Sequence, residues 1–475
     1  MTPAALPLPA LVVVLPLAWA LLTGLQRRPL LAWRLAIAGA ALELGLAVGL
    51  ALLQRAAPEG ALADPLLPRA LGVDGLSAPL LVFQSALALA LVVGWPRERR
   101  TPRLLGALLA SEGALALLFV GLRLDVVCLA WTLSFVPALA TRGEGRGEGA
   151  SGSRARRPLL VLAVASSLPL LVALALAGGG ADGGHLFGPG PRRAVLALVI
   201  VAACARTAVF PLHGWLLPSF GGGDLVLPLF LLSARPGVYL LLRAAADLSA
   251  ELAEVHPLLL ALGACGAVYG GLLALAQTDL RRLAGALAIS HSGLIATGVF
   301  SGTRDAGVGS FVLWVNVGLG LAGLALVGVA LEARFGRERL LTARGIGTRL
   351  PGLAGAFLLC GACCVGFPAT LGFVGEELVI RAVLREQPVS AAALVLATAL
   401  NGMALMRAYL WLFLGPAPAD LPAPPSLRPR ERAVLATLGL ALVLFGLRPG
   451  LLVEAGAAAA VAVRLRPDQD VPDHP

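Results

Sequence analysis

The chain contains no lysine: all 37 of its basic residues are arginine. A buried lysine can shed its proton and an arginine effectively cannot, so one common proton carrier is missing. Charge of either sign is scarce, at 13% of residues against 58% hydrophobic. With a mean hydropathy of +0.87, this excludes an ordinary water-soluble domain and matches a membrane protein. Six cysteines are present, at Cys128, Cys204, Cys265, Cys360, Cys363 and Cys364, all in apolar runs. The last three have C-x-x-C spacing, but no second cysteine or histidine pair completes a metal site. They are expected to be small packing residues. No phosphate-binding glycine loop occurs either, so no cofactor is expected and redox chemistry would belong to other chains. No basic segment precedes the apolar stretch 8–25, which argues against a cleavable signal peptide. The net charge of +10 sits in loops between apolar runs, not on a soluble basic domain, so nucleic-acid binding is excluded.

What is present is a succession of apolar runs, each near the roughly 20 residues that span a bilayer. About fourteen are predicted, at 8–25, 33–53, 76–96, 102–121, 124–141, 158–178, 193–211, 226–246, 257–277, 281–301, 306–332, 352–383, 388–414 and 431–448. Residues 451–465 are expected to form a short interfacial helix, 466–475 a disordered tail, and 142–157 a low-complexity linker. Arginines crowd into alternate loops, among them 97–103, 142–157, 334–349 and 428–432. By the positive-inside rule these loops face the cytoplasm and the N-terminus lies outside, in the cell inner membrane.

Polar residues inside the runs are the candidate functional groups. Residues 201–243 hold Arg206 and Arg235 on either side of an irregular link that contains Pro211, His213, Trp215 and the glycines 221–223. Proline cannot continue a helix, and irregular backbone within a membrane must be buried in protein or line a wet cavity. The arginines fit either a functional site or snorkelling near helix ends. Glu112 stands in the middle of the fourth run and fits either a polar path or a structural ion pair; Glu43, in the second, fits a position at the rim of the bundle. Thr132 and Ser134 are the polar side chains of the fifth run and can bond the preceding turn. Asp74 and Ser77 fit a helix cap. Asp279, Arg281 and Arg282 fit an anchoring turn. His291, flanked by Ser290 and Ser292, fits a proton relay or a satisfied core histidine. The twelfth run is interrupted by Gly366, Pro368 and Gly372 and is followed by Glu376 and Glu377, of which one can readily face the interior. Arg407 lies inside the thirteenth run. Interrupted helices in corresponding positions, each with a charge, point to an internal repeat.

GVDGLS at 72–77, FPLHGWL at 210–216, GVYLLLR at 237–243, AQTDLRRL at 276–283, SHSG at 290–293 and GFVGEE at 372–377 carry a resemblance. Together, and in this order, they resemble the antiporter-like subunits of respiratory NADH:quinone oxidoreductase (complex I), the M-type subunit above all, and of Mrp-type cation/proton antiporters. The resemblance covers roughly 70–450. It implies an all-α integral membrane fold of about fourteen helices. Two inverted five-helix repeats, 102–246 and 247–414, would follow N-terminal helices in 1–101 and precede a last helix and tail in 415–475.

The resemblance also implies proton conduction or gating, coupled to quinone reduction by partner subunits, within a larger membrane assembly. The family's central positions map onto Arg206, Arg235 and Glu376. Its fifth-helix glutamate falls on Thr132, and its eleventh-helix histidine on or near Val317, beside Asn316. His291 and Glu112 match polar family positions. Where the family has lysine this chain has arginine, and where it has a glutamate paired with that lysine it has Thr132. The first half-channel, between Glu112, Thr132 and Arg206, is therefore expected to be impaired, and the second, through His291 and Glu376, to be the competent one. Rival readings are a structural subunit without pumping, and a membrane subunit of an inorganic-carbon uptake, hydrogenase or Mrp-type complex.

Overall fold

The computed structural model describes residues 6–56, 62–141, 149–178, 186–187, 191–337, 345–416 and 427–463. Almost all of them are helical. Helix α1 spans Leu8–Gly24, α2 Pro29–Ala56, α3 Ser77–Gly94 and α4 Pro102–Val120. A two-stranded hairpin, β1 (Leu62–Ala63) with β2 (Gly72–Val73), closes the link between α2 and α3. Then come α5 Leu124–Leu133, α6 Val136–Thr141, α7 Gly149–Leu176, α8 Arg192–Thr207, α9 Leu216–Gly221, α10 Val226–Ser233 and α11 Pro236–Asp247. The chain continues through α12 Ser249–Leu275, α13 Leu280–Ser301, α14 Arg304–Phe335, α15 Pro351–Cys364 and α16 Leu371–Glu386. It closes with α17 Pro388–Phe413, α18 Pro429–Leu447 and α19 Gly450–Ala462.

Among the described residues ten helices are long and apolar enough to cross a membrane, or eleven if the α18–α19 pair, bent by 77°, counts as one. The further expected runs are short or interrupted, and for that reason fall below the length of a single spanning helix. The seventh stops at Thr207, where Ala208 turns left-handed (φ 61), four residues before the Pro211 expected to end it. The twelfth breaks between Cys364 and Leu371, with positive φ at Gly366 and Ala369. Two breaks were not expected: the fifth run is split at Ser134–Phe135 and the eighth at Arg235 itself, whose φ is 42. Residues 142–148 of the expected linker and the tail 466–475 lie outside the described residues, and from Gly149 onward the linker is helix α7. Within the stretch 451–465 a helix is present, α19, over Gly450–Ala462.

Helices α13 and α14 form the buried centre; the most apolar stretch of each is fully inside the protein. Small residues let α12 and α13 meet backbone to backbone, as membrane helices require when hydrophobicity alone does not drive them together. A Cβ at Gly293 would lie 2.6 Å from the Gly263 carbonyl oxygen. The cysteines fill the same kind of gap: Cys360 packs on Gly323 and Cys364 on Gly320 of α14.

Charges gather at the two ends of the bundle. At one end Arg281 is not part of a surface anchor. It is buried and forks onto Glu332 of α14 at 2.7 and 2.6 Å, a carboxylate that Arg99 also reaches at 2.8 Å. Arg334 meets Glu431 at 2.6 Å, and Arg337 meets Asp279 at 2.5 Å. Arg428 meets Glu98 at 2.6 Å, and its hydrogen bond holds that carboxyl below its usual range. At the other end Asp74 caps α3 through Leu76, Ser77 and its own hydroxyl partner, and it also pairs with Arg243 at 2.6 Å.

Candidate functional site

The break between α15 and α16 leaves backbone carbonyls without helical partners, and these need donors if they are buried. Asn316 of α14 donates to the Cys363 carbonyl at 3.0 Å. His291 of α13 reaches the Cys364 carbonyl with Nε2 at 2.5 Å, while its Nδ1 faces the Leu287 carbonyl at 2.7 Å. A neutral imidazole donates to one of these oxygens; an imidazolium donates to both. Glu376 enters the same break from the first turns of α16. It is buried, accepts from the Thr398 hydroxyl at 3.1 Å, and leaves Oε1 without a partner. Its carboxyl lies over Gly366, where a Cβ would come within 2.8 Å of the carboxyl carbon. Glu377 points away, half-buried and paired with Arg381 at 2.5 Å.

Arg235 approaches from the other side. It is buried and donates to Ser292 Oγ at 2.8 Å, next to His291 in sequence, with Nε and Nη2 unpartnered. Its left-handed backbone costs about 1–3 kcal/mol and is tolerated where surrounding structure dictates it. Asn401 of α17 is fully buried and donates to Ser290 Oγ at 2.9 Å, one turn of side chains away from Thr398. The structure thus brings together Arg235, Ser292, His291, the Cys364 carbonyl, Glu376, Thr398, Ser290 and Asn401.

The first break is organised differently. Trp215 donates its indole N–H to the Ala205 carbonyl at 2.8 Å, an acceptor it shares with the Ala208 N–H at the end of α8. Arg206 is buried against α5. It donates to the Trp131 carbonyl at 3.0 Å and to Ser134 Oγ at 2.5 Å, and its guanidinium covers the rings of Trp131 (4.6 Å) and Phe135 (4.1 Å). Thr132 does not meet Arg206. Its side chain is exposed and its hydroxyl bonds the Cys128 carbonyl within its own helix at 2.9 Å. Residues two apart on a helix point about 200° apart, so the hydroxyl facing Arg206 belongs to Ser134. His213 is half-buried and packs on Tyr269 (4.9 Å) and Phe210 (5.7 Å), outside the buried polar groups. Arg407 is also peripheral: it is exposed and donates to the Gln277 carbonyl near the end of α12.

Glu112, in the middle of α4, is fully buried, and neither oxygen has a hydrogen-bond partner. Glu43 of α2 is equally buried and unpartnered, so it does not sit at a rim. It is close enough to act electrostatically on Glu112.

The family described as NADH:quinone oxidoreductase/Mrp antiporter, TM, matches residues 188–401, which include both breaks, Arg206, Arg235, His291 and Glu376. NADH-quinone oxidoreductase subunit 13 of Thermus thermophilus is 31% identical over 464 residues, covering 93% of this chain and 95% of that protein. The chain belongs to this family. The alignment with NADH-quinone oxidoreductase subunit M of Pseudomonas aeruginosa, also 31% identical, is shorter, covering 56% of this chain and 52% of that protein. Among solved structures, a chain of respiratory complex I from Thermus thermophilus superposes with a TM-score of 0.83 at 27% identity, covering 96% of this chain and 99% of that one.

As a member of the family, the chain is a multi-pass membrane protein, and its motifs acquire physical roles. GVDGLS and GVYLLLR meet through the Asp74–Arg243 pair, and Tyr239 in the second motif donates to the Phe119 carbonyl at 3.1 Å. Sequence reasoning missed Asn401, Thr398 and the burial of Glu43. Asn401 carried a usable signal, an amide inside a spanning run. Thr398 carried none, because threonine bonds its own helix as readily as a neighbour.

Proposed function

We propose that this chain is a membrane subunit of a complex I-like assembly that conducts or gates protons, while partner subunits carry out quinone reduction. The observation that carries the reading is Glu376, a buried carboxyl held by one hydroxyl at an opened helix, with its second oxygen free. Arg206 and Arg235 keep their protons and act as fixed positive charges. Glu376 and His291 are the groups that can take up and release a proton, with water carrying it between them. When His291 gains a proton it can donate to both carbonyls that face it, so the ring fits a relay. Among the described residues Arg206 of the first half is held by the Trp131 carbonyl and Ser134 and by no carboxylate, and Ser134 can pass a proton only through its hydroxyl. The second half is the competent one in this reading.

The finer architecture belongs to the same proposal. Fourteen spans are counted when α8–α9 and α15–α16 each form one interrupted span and α1 and α18 each cross. They divide into two inverted five-helix repeats, 102–246 and 247–414. The arginine-rich end of the bundle faces the cytoplasm, with the N-terminus outside. Neighbouring antiporter-like subunits flank the chain in the membrane. The test is proton flux in the reconstituted assembly. Glu376→Gln is expected to abolish this subunit's share, and Thr398→Val to lower it less. Unchanged flux in Glu376→Gln would identify the chain as a structural spacer. Copurification of complex I subunits rather than Mrp, carbon-uptake or hydrogenase subunits separates the remaining readings.

A further inference from the structure

Both Glu43 and Glu112 are fully buried in the N-terminal part of the bundle, and none of their four carboxyl oxygens has a hydrogen-bond partner among the described residues. Two more polar groups point the same way. Ser85 Oγ of α3 is buried, has no partner of its own, and lies toward Glu112. Gln84, on the same helix, anchors Nε2 on the Glu112 carbonyl at 3.2 Å and leaves Oε1 buried and unpartnered. The charged group that faces Glu112 is Glu43. From α3 the facing groups are the neutral Gln84 and Ser85. From α11, Tyr239 is engaged by the Phe119 carbonyl, and Arg206 is engaged by α5.

Two ionised carboxylates cannot rest in such a place. Each buried ion costs several kcal/mol without a counter-charge, and the two repel one another. Among the described residues no arginine supplies a counter-charge to either carboxyl. Among the described residues no group of three or more His, Cys, Asp or Glu side chains gathers to hold a metal ion. A proton is the simplest remedy. It cancels one charge and creates an O–H donor for the other carboxylate, as in paired acids that share one proton.

We propose that Glu43 and Glu112 form a proton-holding pair, with Ser85 and Gln84 as its polar wall, separate from the Arg235–His291–Glu376 line. In the loaded state Glu112 carries the O–H beside Ser85, which leaves Glu43 as the single carboxylate of the pair. On release that O–H bond breaks, the electron pair stays on the Glu112 oxygen, and the proton bonds to a water. No electron changes owner. The proposal extends the proton-conduction reading to a second site.

The experiment is infrared titration of the assembled complex in lipid vesicles, read at the C=O stretch of protonated carboxyls and checked by its shift in heavy water. The probe is the proton itself. The wild type is expected to show a buried carboxyl band that titrates in two steps. Glu43→Gln and Glu112→Gln should each reduce it to one step, the double variant should remove this component, and Ser85→Ala should shift its frequency without removing it. Absence of the component in the wild type, or its persistence in the double variant, would overturn the proposal. So would a band that responds to added sodium and not to pH, which would make this a cation site. Ser85→Ala keeps the test decisive if the double variant fails to assemble. The infrared readout does not depend on transport, so a band without flux overturns only the conduction reading.

Discussion

At the scale of single residues, the two arginines differ from what a lysine would do in their places. Each is a permanent charge held by one hydroxyl, Ser134 for Arg206 and Ser292 for Arg235, and each leaves N–H groups unpartnered. Ser134, not Thr132, stands where an acid could meet Arg206. Ser134→Asp is expected to form a charge-assisted pair worth about 1.5–3 kcal/mol and to raise proton flux through the first half. Thr132→Glu is expected to leave flux unchanged, because its side chain leaves α5 on the exposed face; proton flux in the reconstituted assembly decides between them. The motif that located Thr132 was legible, but its direction was not. The one-dimensional pattern names the residue after Trp131, while the break at Ser134–Phe135 and the packing of Arg206 over Trp131 decide which side chain is reached. Glu43 was misread for a related reason. Helix α2 is apolar on nearly every face, so nothing in its sequence says which side meets α3 and α4.

At the scale of elements, interruptions announced by proline or glycine inside a run were readable, as at Pro211 and at Gly366–Pro368. The break at Arg235 had its own signal in Pro236, since the residue before a proline is pushed out of helical geometry. It was masked by the apolar run on both sides. The close approach of α12 and α13 yields a prediction that tests packing alone. Gly293→Val must force the two backbones apart, and overpacking of this kind typically costs about 1–3 kcal/mol. A lowered melting temperature of the purified complex should report it. A control at Gly45, where a Cβ would meet nothing within 4 Å, should leave the melting temperature unchanged.

For the whole molecule, the charged ends set both stability and orientation. Arg281 and Glu332 have side chains only 5% and 3% exposed, whereas those of Arg428 and Glu98 are 40% and 50% exposed. Arg281→Gln leaves the buried Glu332 carboxylate with Arg99 alone, while Arg281→Gln with Arg99→Gln strands it and is expected to destabilise by about 3–5 kcal/mol. Arg428→Gln removes a solvated pair and is expected to cost about 0.2–1 kcal/mol; denaturation of this variant and the double variant side by side reads the contrast. Orientation is read by cysteine labelling in intact cells: a cysteine placed at the exposed Arg97 should resist an impermeant reagent, and one at the exposed Pro68 should react. The opened helix between α15 and α16 carries a consequence for genetics. The oxygens that His291 and Asn316 grip are main-chain atoms of Cys364 and Cys363. Alanine scanning across these cysteines would pass over them in silence, because every substitution keeps the peptide carbonyl. Only replacing the amide bond after residue 364 by an ester, which weakens that acceptor, would expose its part.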